Sequence, residues 1–102
     1  PIFNTSTATE ETQPGLEDEL LAPNYPNPFA DNTKIRFKSQ GEKVYLVIHD
    51  SLGREISVLA NQYYPTGTHE IDFVTSDLST GVYYCTMISG NYKKVIPMLK
   101  AR

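Results

Sequence analysis

Tryptophan is absent from the 102 residues, cysteine occurs once and histidine twice. A single cysteine, Cys85, excludes an internal disulfide, so the fold has to stand on its packed core. His49, His69 and Cys85 are too few and too scattered for zinc, which takes about four ligands in paired spacing. No apolar run approaches the roughly 20 residues of a membrane helix, and no direct membrane insertion is expected. The front lacks a basic stretch followed by an apolar one, so a secretion signal, if the protein is secreted, is expected upstream of residue 1. No glycine-rich phosphate loop occurs. The acidic spacing of an EF-hand is missing around Asp31-Asn32. Neither a metal nor another cofactor is expected.

Lysine and arginine are missing up to position 33, where six acids (Glu10, Glu11, Glu17, Asp18, Glu19 and Asp31) set a charge of −6. From Lys34 onward nine bases face six acids, a charge of +3. This asymmetry describes an acidic tail on a mildly basic body. Without a basic helix, the body gives no footing for nucleic acid. A chain of this length forms one domain, able to bury roughly 60–65% of its unfolded surface around one core.

Residues 1–19 are rich in Thr, Glu, Ser, Pro and Gly and read as a flexible acidic linker, because they cannot bury enough surface to offset their ordering entropy. The domain is expected over residues 20–102. Asn24-Tyr25-Pro26-Asn27-Pro28-Phe29 excludes helix and central strand, since its prolines withhold N–H groups. It is expected as an extended edge segment. Strand alternation follows at Thr33–Lys38, Lys43–His49, Arg54–Leu59, His69–Val74, Val82–Ile88 and Tyr92–Lys100. Turns are expected at Asp50-Ser51-Leu52-Gly53, Pro65-Thr66-Gly67 and Gly90-Asn91, and a turn or short helical corner at Ser76–Gly81. Pro97 places the last strand at an edge or a bulge. The sum is an all-β fold, an immunoglobulin-like antiparallel β-sandwich of about seven strands.

Chemistry finds little to stand on. His49, Asp50 and Ser51 are adjacent, and neighbours on a strand point to opposite faces, so they form no triad among themselves. Cys85 lies in the β-prone run Val82–Ile88, where a buried small hydrophobe is expected rather than a nucleophile. No catalytic residues are expected, and the chain reads as no enzyme. Tyr83 and Tyr84 should face opposite ways, as should Lys93 and Lys94.

Five motifs together resemble the type A C-terminal sorting domain of the type IX secretion system, over about Leu21 to Arg102. Asn24–Phe29 resembles the opening signature, and Asp50-Ser51-Leu52-Gly53-Arg54-Glu55 a central D-x-x-G-R-E turn. Pro65-x-Gly67 with Thr68-His69 is similar to the next turn, and Leu78–Tyr84 to an L-x-x-G-x-Y motif. Lys93-Lys94-Val95-Ile96 with Met98-Leu99-Lys100 resembles the terminal lysine-bearing strand. Cys85 departs from the family, standing where an aromatic is common, and Pro97 interrupts the last strand.

The resemblance implies a sorting signal that carries cargo from the periplasm across the outer membrane to the cell surface or the medium. The implied partners are the type IX translocon and its surface, sortase-like cysteine peptidase, which would cut within residues 1–22. The implied recognition patch joins Pro65 and Gly67, Leu78, Gly81 and Tyr83, and the last-strand residues Lys93, Lys94, Val95, Ile96, Met98, Leu99 and Lys100. The last strand is also a candidate edge for a homodimer. Two rival readings stand beside this one. One is an immunoglobulin-like structural module, such as that of a flagellar hook scaffold. The other is a carbohydrate-binding module, which would need Tyr63, Tyr64, Tyr83 and Tyr84 on one flat face.

Overall fold

The computed structural model describes residues 19–101. Residues 1–18 and Arg102 lie outside the described residues, and with them nearly all of the linker expected over 1–19.

Six strands follow in chain order: β1 (Asn32–Ser39), β2 (Glu42–Asp50), β3 (Glu55–Tyr64), β4 (Gly67–Val74), β5 (Gly81–Ser89) and β6 (Tyr92–Lys100). β1 pairs with β4 in a two-stranded sheet, and β3, β2, β5 and β6 lie side by side in a four-stranded sheet. All these pairings are antiparallel. The sheets face each other across one apolar core that includes Phe29, Ile35, Phe37, Leu46, Met87 and Met98. This is the expected all-β sandwich.

The seventh expected strand is not a strand. Residues 20–29 make three isolated bridges instead: Leu21 with Phe37, Tyr25 with Lys34, and Phe29 with Lys100. Pro23, Pro26 and Pro28 have no N–H to give, so a continuous ladder cannot form. The segment runs antiparallel beside β1 and then crosses to lie parallel to the end of β6. It thereby ties the two sheets together. The peptide bonds Tyr25-Pro26 and Asn27-Pro28 are cis.

Alternation explains the strands where it is clean. On β1, Thr33, Ile35, Phe37 and Ser39 are buried and the residues between them are exposed. Facing charges on the outer side of this sheet match its register, with Lys34–Asp72 at 2.8 Å and Arg36–Glu70 at 2.9 Å. On β2, Val44, Leu46 and Ile48 fill the core. Val47 points the other way and is still only 3% exposed, because its outward neighbours Val58 and Thr86 cover it.

β3 departs from the expected course, and β6 takes the expected edge position. β3 continues to Tyr64, and its pairing with β2 slips twice, between Leu46 and Val47 and again between Ile48 and His49. These slips are β-bulges, which bend and twist an edge strand. β6 keeps an unbroken nine-residue register with β5 despite Pro97. Strand direction explains this. The tight Ser89–Tyr92 hairpin turns the backbone polar groups of Tyr92, Lys94, Ile96, Met98 and Lys100 toward β5, and those of Pro97 away from it. The missing N–H therefore falls on the free edge.

The strand directions give the sandwich two ends. The upper end carries the Asp50–Arg54 turn, the 75–80 loop and the close of β6. The lower end carries the Pro65-Thr66 link, the Gly90-Asn91 turn and the start of β6.

Candidate functional site

Each motif singled out in the sequence has a definite structural task. In the opening signature, Asn24 Nδ2 donates to Thr33 Oγ1 at 3.0 Å, and Thr33 Oγ1 donates to the Pro26 carbonyl at 2.9 Å. Asn27 Oδ1 accepts from the Leu99 N–H at 2.9 Å. Phe29 N–H donates to the Leu99 carbonyl and Ala101 N–H to the Phe29 carbonyl. Lys100, nearly fully buried, donates from Nζ to the Ala30 carbonyl at 2.6 Å. The signature thus clamps the close of β6.

At the upper end, Asp50 organises its own turn. Oδ1 accepts from the Leu52 and Arg54 N–H groups, and Oδ2 accepts from Arg54 Nε at 2.8 Å. The backbone hydrogen bond from Arg54 holds the Asp50 carboxyl below its ordinary range, helped by the Arg54 guanidinium and the Leu52 N–H. Gly53 supplies the positive φ of 86° that the turn requires. Beside it, Tyr83 turns inward and its hydroxyl donates to the Ser79 carbonyl at 2.7 Å. This is the tyrosine corner of immunoglobulin-like sandwiches. Asp50 and Tyr83 are register partners, so the two motifs meet, flanking a shallow groove of about 340 Å³.

At the lower end, the Pro65 carbonyl accepts from His69 Nε2 at 2.8 Å, which places the ring proton on that nitrogen. The His69 ring then packs against Phe37 and Tyr64, with centroids 5.5 and 4.9 Å away. His69 is thus a fold residue. Pro65 and Gly67 lie at the lower end, and Leu78, Gly81 and Tyr83 at the upper. The two turns therefore lie at opposite ends of the sandwich, and β6 runs the length between those ends.

The last strand divides by face. Ile96, Met98 and Lys100 are buried with Tyr83, whereas Lys93, Val95 and Leu99 are exposed. Lys94 takes the opposite side from Lys93 and pairs with the Glu19 carboxylate. Next to it, the Tyr92 hydroxyl accepts from the Leu20 and Leu21 N–H groups, both at 3.1 Å. Cys85 is buried between its register partners Ile48 and Ile96, and burial pushes its thiol up to about 12. His49 is on the opposite face of the sheet, beside Tyr84. No dyad exists between them. Among the described residues, no three of His, Cys, Asp and Glu gather to hold a metal ion. The four tyrosines do not share a face either. Tyr83 is in the core and Tyr64 packs on Phe37, while Tyr63 and Tyr84 lie about 20 Å apart along the sheet at roughly 3.3 Å per residue.

Two features escaped the sequence reading. The Asn27–Leu99 bond joins positions 72 apart, and nothing local announces it. The other is the outer face of the four-stranded sheet. Val82, Tyr84, Ile88, Val95 and Leu99 point outward there and are each partly exposed. The signal was present, since Val82–Ile88 is apolar in both phases of a strand, as in sheets covered on both sides.

The fold and its surfaces define a small β-sandwich that presents surfaces and gathers no reactive groups among the described residues. The profile of the family described as "Secretion system C-terminal sorting domain" matches residues 24–99, and the chain belongs to that family, the sorting signals of type IX secretion. The family is not one of enzymes. No curated protein and no solved structure matches the chain.

Proposed function

We propose that this domain directs a cargo protein, carried on its N-terminal side, across the outer membrane through the type IX translocon. The cargo then reaches the cell surface or the medium. The observation that carries this reading is the family match, which runs from the opening signature through the last strand. The fold supports it physically. Every motif builds or clamps the sandwich, so the machinery reads a folded shape, and reads it through the residues that remain outside. Of the implied recognition residues, these are chiefly Pro65, Gly67, Lys93, Val95 and Leu99.

A surface cysteine peptidase separates cargo from domain in the acidic front segment. The cut falls at or before Glu19. Leu20 and Leu21 are buried, both donate to the Tyr92 hydroxyl, and Ala22 N–H bonds the Arg36 carbonyl. A protease must open backbone of this kind before it can bind it.

The test is a reporter with a periplasmic export signal, followed by residues 20–102, in a type IX-competent cell. Surface or medium localisation with the whole domain, and periplasmic retention when Lys93–Arg102 is deleted, is the expected result. Retention of both, with the undeleted domain shown to be folded, refutes the sorting function.

A further inference from the structure

The two outward faces of the sandwich differ in chemistry. The face of β1 and β4 is charged and self-neutralised, through Lys34–Asp72 and Arg36–Glu70. The face of the four-stranded sheet is apolar. Val58, Val47, Thr86 and Val95 form one row across all four strands. In and around that row, Val58, Tyr84, Ile88, Val95 and Leu99 are between 38% and 47% exposed. Single exposed apolar side chains are ordinary, but a contiguous patch on one flat sheet marks an interaction site.

The edges of the same sheet are blunted. On β6, Pro97 offers no N–H, Phe29 and Asn27 occupy the backbone of Leu99, and Lys93 stands at the other end. On β3, two bulges disturb the ladder. Proline, lysine and bulges are the devices that keep edge strands from adding a further strand. Contact through the face is what remains open.

Charge narrows the occupant. Lys43 and Lys93 are exposed on this face at the lower end, Lys93 opposite Ile88 and Lys43 two residues along β2 from Tyr45, the other partner of Ile88. Their outward-facing neighbours there are Tyr63, Asn61, Tyr45 and Ile88, with no carboxylate among them. We propose that the outer face of the β3–β2–β5–β6 sheet docks flat onto a protein of the export machinery, on an apolar surface that sets carboxylates opposite Lys43 and Lys93. This rests on the sorting reading and names the contact it uses.

The experiment fuses the full chain to the periplasm-targeted reporter and compares wild type with Val95→Glu, Lys43→Glu/Lys93→Glu and Lys34→Glu. Thermal melting and sedimentation of each purified full chain accompany the export assay. The two changes on the apolar face lower surface reporter by about tenfold or more, the loss typical of an interface hot spot, with melting preserved. Lys34→Glu, on the charged face, leaves export unchanged. The double lysine variant alters only exposed side chains and so keeps the test alive if Val95→Glu fails to fold. Export of folded face variants at the wild-type level overturns the docking surface and leaves the sorting function standing. Failure of the wild-type fusion removes both. A wild-type dimer that Val95→Glu dissociates without loss of export makes the face a contact between two copies, and the proposal falls.

Discussion

The side-chain oxygen of Asn27 accepts a hydrogen bond from the backbone of Leu99 at 2.9 Å, across 72 positions of chain. With Phe29 N–H on the Leu99 carbonyl, it meets both outward polar groups of that residue. The opening signature and the closing strand are therefore one structural unit. A motif at the front of the domain protects the strand at its back, and damage to either loosens both.

Asn27→Ala removes the acceptor and leaves the Leu99 N–H to water. The expected cost is about 1 kcal/mol, the net worth of one neutral hydrogen bond. Native-state hydrogen exchange locates it. The Leu99 amide should exchange faster while the amides of β2 and β5 that pair within the sheet keep their protection. Uniform loss of protection across all strands would mean that the clamp acts on global stability and not on the end of β6.

Tyr83→Phe keeps the ring in the core and deletes its bond to the Ser79 carbonyl. A loss of about 1–2 kcal/mol is expected, with an unchanged denaturant m-value because the folded shape persists. Export of the fusion should survive at temperatures where the variant is folded, since Tyr83 is 7% exposed and offers a partner little to touch. Loss of export from a demonstrably folded Tyr83→Phe domain would give the upper end a direct role in recognition.

Much of this architecture was legible because its signals are local. The alternation of Thr33–Lys38, the turn at Asp50–Gly53 and the hairpin at Gly90-Asn91 each follow from residues a few positions apart, and each is present. What was not legible depends on distant partners. The segment Asn24–Phe29 reads as an extended edge segment, but nothing within it says that its bridges go to two different sheets. Tyr83 and Lys100 lie in motifs that resemble a recognition signal, yet both are buried and hydrogen-bonded to backbone carbonyls. A motif defines which residues a fold needs together. It does not separate those that build the surface from those that face a partner.

Asp50 gives the domain an acid-sensitive turn. Its carboxyl titrates below the ordinary value of 3.8 in the folded state, chiefly through the Arg54 N–H. A depressed acid contributes stability that is fully present above the unfolded value and is lost as pH falls through the folded one. Wild type should therefore lose stability with falling pH in the region below about pH 4 more steeply than Asp50→Asn. Denaturant midpoints of the two, taken from pH 6 downward, should converge in that range. Parallel curves would show that the turn bonds are not formed by the ionised carboxylate.

Cys85 should be chemically silent in the folded domain. Its thiol is packed between Ile48 and Ile96 and is raised from 9.0 to about 12, so almost no thiolate exists at pH 8. Alkylation at that pH then proceeds only through opened molecules, and its rate should rise with denaturant in step with the unfolded fraction. The linkage has a definite sign. A thiol whose value is raised in the folded state contributes stability that is whole below pH 9 and declines as pH climbs toward 12. Substitution separates the roles of size and polarity at the site. Cys85→Ala leaves a small void and should cost about 1 kcal/mol. Cys85→Ser keeps the volume but buries a hydroxyl against apolar neighbours, so it should cost more, about 1–3 kcal/mol. Rapid labelling of native protein, or a serine variant as stable as wild type, would place the sulfur at a polar, open site and overturn its assignment to the core.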